Sequence, residues 1–163
     1  VIPPYSSLKF LTRAWNMEQL AALREMVQHC AEAAAQTTGC RFNIFNNEMT
    51  NAAMISNQHI SRVFEKYLCR FGEPAILHTD VRGSTDMGDV SQRIPSIHPW
   101  VSLNCPDASL HSREFAEATM SDYAKVYLRR CIRALSFTAA EILEDAELRE
   151  AIKHEFLLSQ EKS

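Results

Sequence analysis

The 163-residue chain is 46% hydrophobic and 23% charged, with a net charge of −3, a balance that suits a globular protein with material for a core. Acidic and basic residues are interleaved without a Lys/Arg block, so no nucleic-acid partner is expected, because gripping phosphates needs a basic face. No apolar run is long enough to cross a bilayer, so no membrane partner is expected.

The opening residues, Val1-Ile2-Pro3-Pro4, include no Met. They also lack the basic start and apolar stretch of a signal peptide. The chain is therefore expected to begin inside a longer polypeptide. Residues 7–14 alternate imperfectly, with Leu8 and Phe10 set against Lys9, and predict a short strand. Asn16 followed by Gln19 has the spacing of a capping box. Leu20, Leu23, Val27, Cys30, Ala31 and Ala34 then recur at three- and four-residue steps, which predicts a helix to about Thr38 with Gly39 as its left-handed stop. Cys40, Phe42 and Ile44 share one side of a predicted second strand. Residues 7–46 thus read as strand–helix–strand, and the fold class expected is α/β.

A polar link leads to a second predicted helix, Asn57 to Phe71, with Ile60, Val63, Phe64, Tyr67, Leu68 and Phe71 along one stripe. Gly72 and Pro74 end it. Residues 75–114 lack a helical period and hold Gly83, Gly88, Pro95, Pro99 and Pro106. Short apolar runs at residues 94–97 and 100–103 are candidates for strands. A long irregular stretch of this kind is often functional. From about Ser121 the chain is helical again, with Ala124, Tyr127, Leu128, Cys131, Leu135, Ala139 and Ile142 as the apolar face. A break near Glu144 and Asp145 precedes a last helix carrying Leu148, Ile152 and Phe156. Arg129, Arg130 and Arg133 read as a solvated helix face.

Two places can carry chemistry. The segment Gly83-Ser84-Thr85-Asp86-Met87-Gly88-Asp89-Val90-Ser91 sets hydroxyls beside carboxylates between two glycines. It reads either as a surface turn with Asx-type bonds or as a loop presenting amides and oxygens to a polar ligand. His111, in Leu110-His111-Ser112-Arg113-Glu114-Phe115, is either a polar surface residue or a metal-binding imidazole. No HExxH, GxSxG or phosphate-binding Gly-Lys-Ser/Thr pattern is present. The five cysteines include no CxxC pair. They are expected as free thiols in a reducing compartment, which makes a cytoplasmic location the expectation.

The residues 84–91 motif followed by Pro95, the Leu8 to Ala14 run before the Asn16-capped helix, and the stretch around His111 together resemble the zinc amidohydrolases that include aminoacylases and aminobenzoyl-glutamate hydrolases. The motif leans toward a dipeptidase-like branch. The resemblance covers nearly the whole chain. It implies that residues 1–48 finish an inserted dimerisation domain and residues 49–163 form the C-terminal part of a three-layer catalytic domain. His111 becomes a metal ligand, and Gly83, Ser84, Thr85, Asp86 and Asp89 line the substrate pocket. Two zinc ions per full-length subunit, a homodimer, and a dipeptide or N-acyl amino acid substrate follow from the same resemblance. The family's other ligands and its catalytic Glu lie in a segment outside this sequence. The second expectation is therefore a non-catalytic piece that serves dimerisation or regulation.

Overall fold

A computed structural model of the chain describes residues 2–46, 49–73 and 84–160. It divides into two compact units, residues 1–53 and residues 54–162. Among the described residues every regular element is a helix.

The first unit holds α1, Met17–Thr38. Asn16 caps it as its spacing predicts, its side chain accepting from Gln19 N at 2.8 Å. The helix ends at Gly39, whose φ of 69° is the left-handed conformation that glycine adopts without a Cβ penalty. Gly39 N and Cys40 N both donate to Ala35 O, which occupies carbonyl capacity the last turn leaves open. Thr37 and Thr38 bond back to Ala33 O and Ala34 O. Ala35 is the buried residue of this helix. Around it Leu8, Phe10, Leu11, Trp15, Phe42, Ile44 and Phe45 are exposed.

The α/β expectation is corrected here. Residues 7–14 and 40–45 are irregular, and no strand forms among the described residues. The nearest approach to a sheet is an isolated parallel bridge between Ser56 and Ser96. Alternation describes which side chains share a face. A strand also needs a neighbour that takes its backbone N–H and C=O groups, and alternation does not supply one. Residues 94–97 and 100–103 likewise stop at that single bridge.

The second unit is built on α2, Gln58–Arg70, and α5, Asp122–Glu144. Phe64 and Leu68 of α2 meet Tyr127, Cys131 and Ala134 of α5 in a buried cluster, with Tyr67, Phe71 and Ile97 packed against it. Ala134 is 0% exposed, so a methyl group lies where the two helices meet. The apolar face of α5 is turned relative to the expectation. Ala124, Tyr127, Cys131, Ala134 and Thr138 face inward, whereas Leu128, Ile132 and Leu135 are exposed. Thr138 is accommodated because its hydroxyl donates to Ala134 O at 2.8 Å. The arginines are only partly a solvated face. Arg130 pairs with the buried Glu73, and Arg133 lies over the Phe71 ring at 4.2 Å.

The last helix, α6, Ala146–Gln160, starts where Asp145 accepts from Leu148 N at 2.9 Å. It packs against both α2 and α5. Glu155 reaches the first turn of α2 and accepts from Gln58 N and His59 N, at 2.7 and 3.2 Å. A carboxylate there meets the positive end of the helix dipole and two donors that have no partner inside the helix. Asn57 completes the joint. Its Oδ1 accepts from Ile60 N, its Nδ2 donates to Ile152 O, and its backbone N donates to Ser96 O.

Candidate functional site

The described part of the candidate loop begins at Ser84. Thr85 Oγ1 accepts from Met87 N at 3.2 Å, while Gly88 N and Asp89 N donate to Thr85 O and Asp86 O. These bonds lead into α3, Met87–Ser91, which the sequence reading missed. Five residues are too few to display a period, and two of them are Gly88 and Ser91, residues that favour turns. Ser84, Asp86 and Asp89 are exposed, and Thr85 is half-buried. Asp86 stands at the start of α3 without a side-chain cap bond. Three of the pocket candidates, Thr85, Asp86 and Asp89, therefore sit within one bonded turn, and Ser84 directly precedes it. Gly83 lies outside the described residues.

Ser91 is where that turn meets the rest of the unit. It is 0% exposed. Its hydroxyl donates to Gly88 O at 2.7 Å and accepts from Ile55 N at 3.0 Å. Ile55 lies 36 residues earlier in the chain. Nothing in the linear pattern announces that partner, so the sequence reading treated Ser91 only as part of the motif.

His111 stands elsewhere in the unit. It is exposed and has φ of 66°, the left-handed region, which histidine occupies more often than most residues but still at a cost. Ser112 follows it and caps α4, Arg113–Thr119, accepting from Phe115 N at 3.1 Å. Ser112 also bonds to Glu114. That contact and the Glu114 amide hold the Glu114 carboxyl below its usual range, the amide having the larger effect. The helix α4 packs on α5 and not on α3. His98, the other histidine of this region, is exposed, with its ring 6.1 Å from that of Trp100.

Among the described residues no three His, Cys, Asp or Glu side chains gather as a metal site would require. The fit to a catalytic zinc is therefore partial. His111 has the imidazole, the exposure and an unusual backbone, but zinc sites normally take about three protein ligands. All five cysteines are free. The one that is buried, Cys131, has its thiol pushed up chiefly by burial, which disfavours a thiolate. No helix of the described residues is long and apolar enough to cross a membrane.

The chain is 32% identical to Xaa-Arg dipeptidase of Mus musculus over 161 residues, which is 96% of the chain. Homology to Xaa-Arg dipeptidase extends over nearly the whole chain. The Homo sapiens Xaa-Arg dipeptidase is 30% identical over 162 residues, 97% of the chain. The chain spans 37% of the length of either Xaa-Arg dipeptidase. No protein-family model matches it.

Proposed function

We propose that this chain is the C-terminal part of a metal-dependent dipeptidase that hydrolyses the amide or peptide bond of a dipeptide or an N-acyl amino acid. The observation that carries the reading is the 32% identity to Xaa-Arg dipeptidase across 96% of the chain, a span that includes both the residues 84–91 turn and His111. In this reading residues 1–48 finish an inserted dimerisation domain, and residues 49–163 belong to the catalytic domain. The relatives' name makes a dipeptide ending in arginine the first substrate to try.

A bound zinc would lower the pKa of a water and polarise the scissile carbonyl. His111 would supply one ligand. Its left-handed backbone supports that role, because strained conformations tend to persist where they position a functional side chain. Gly83, Ser84, Thr85, Asp86 and Asp89 would line the substrate pocket. Hydroxyls and carboxylates there can bind the charged ends of a dipeptide. The general base and the remaining ligands would come from the longer protein.

The test is a full-length His111→Ala variant. Turnover of an arginine-ending dipeptide should fall by about a thousandfold or more, the scale expected when a catalytic metal is disturbed. Bound zinc should fall with it, while thermal unfolding of the metal-free proteins stays nearly unchanged because His111 is exposed. Unchanged turnover would end the assignment.

A second reading is favoured by the exposed apolar residues on both flanks of α1. They suit a surface that joins a second copy of the chain, as a dimerisation piece would. In this reading the piece need not be catalytic, and it binds no zinc tightly. Zinc that survives dialysis of the isolated chain would count against it.

A further inference from the structure

Around α3 a buried hydroxyl joins the candidate pocket segment to the residues that lead into α2. Thr85 and Asp86 are tied into α3 by the Thr85 hydroxyl and by backbone bonds that Thr85 O and Asp86 O accept, and Ser84 directly precedes them. The helix α3 is tied to Ile55 through Ser91 Oγ. Ile55 in turn stands two residues before Asn57, which bonds to Ser96 O, Ile60 N and Ile152 O. An unbroken path of hydrogen bonds and short covalent links thus runs from the pocket residues to α2 and α6. Ser91 lies on this path, fully buried, donating to its own helix and accepting from a backbone amide 36 residues away. The Ile55 amide is half-buried, so losing its acceptor would cost part of its desolvation penalty, which favours a hydroxyl at this position.

We propose that Ser91 is a positioning residue of the dipeptide pocket: it holds the Ser84–Thr85–Asp86 turn in register with the N-terminal end of α2 and so sets where the substrate is bound. This inference rests on the dipeptidase reading for the ligand, although the pin itself is a feature of the fold. Ser91 reaches the substrate only through the turn it anchors. Its loss should therefore weaken binding while leaving the bond-breaking step and the metal in place.

The experiment compares full-length wild type with Ser91→Ala, using a dipeptide that ends in arginine. Ser96→Ala serves as control, since it removes a buried hydroxyl bonded to Ile94 O two residues away. In Ser91→Ala, KM should rise about tenfold or more, the scale of a misplaced binding group, with kcat within about threefold and zinc content unchanged. Hydrogen exchange should quicken about tenfold at Ile55 and through residues 84–91, while α2 and α5 keep their protection. The control should match wild type in both. Equal loss of kcat and KM function with general loss of protection would overturn the proposal, since Ser91 would then only hold the fold together. Unchanged KM would overturn it as well. A wild type that cleaves no dipeptide would overturn the dipeptidase reading instead, and local exchange confined to residues 54–57 and 84–91 would still support the pin.

Discussion

Lys66 of α2 pairs with Glu141 of α5, and Tyr67 bonds to the same carboxylate. The Lys66 hydrogen bond is the main reason that the Glu141 carboxyl titrates below its usual range, with Tyr67 adding to it. The Tyr67 hydroxyl is pushed up in return, chiefly by its bond to Glu141. A carboxyl lowered in the folded state stabilises the fold above its unfolded-state pKa. It loses that contribution as the pH falls through the folded value. Glu141→Gln should thus lower the urea midpoint at about pH 7 and close the gap to wild type at an acid pH below the usual carboxylate range. The effect should be small, because Lys66 is half exposed and water screens the pair. A gap of constant size at both pH values would show that the pair is not the cause.

At the scale of elements, the contact of α2 with α5 is decided by a small residue. Ala134 is fully buried at that contact, so Ala134→Leu should force side chains off their rotamers and cost about 1–3 kcal/mol. Leu135→Ala, one position along and exposed, should stay within about 0.5 kcal/mol of wild type. Thermal melts of the two variants would distinguish them, and a reversed order would refute the assigned face. The same pair of residues marks what the sequence could convey. Periodicity and caps showed α1, α2 and the break at Asp145, because Asn16, Gly39 and Asp145 act on their nearest neighbours. Periodicity could not choose between Ala134 and Leu135, since the larger apolar residue attracts the inward assignment while the close helix contact selects the smaller. It also could not show that residues 7–14 and 40–45 would stay irregular. In the candidate site, the turn chemistry of residues 84–91 was readable from the glycines, hydroxyls and carboxylates. The hold that Ser91 has on Ile55 was not, because it depends on a partner distant in sequence.

The two units of the molecule differ in how much they enclose. The second has a helical core built around Phe64, Leu68 and Tyr127. The first buries Ala35 and leaves Leu8, Phe10, Trp15 and Phe45 exposed. A cluster of exposed large apolar side chains marks a surface that another element or molecule covers. The isolated 163-residue chain should therefore bind a hydrophobic dye strongly and self-associate, with the dye signal lowered in Leu8→Ser or Phe10→Ser variants. A chain that stays monomeric at high concentration and ignores the dye would contradict this view of the first unit.

Glu155 and the Ile152 carbonyl give the C-terminal helix a second role as the missing first turn of another helix. The amides of Gln58 and His59 and the carboxamide of Asn57 all find partners on α6. Shortening the protein from its C-terminal side would then be tolerated only in steps. Loss of the last few residues leaves these partners in place. A cut between Asp145 and Ile152 would leave the amides of Gln58 and His59 and the Asn57 carboxamide without their partners 95 to 97 residues away, and by way of Ile55 and Ser91 it would loosen the turn that carries Thr85 and Asp86. The order of the residues 84–86 turn is thus coupled to α6, a helix far from it in sequence.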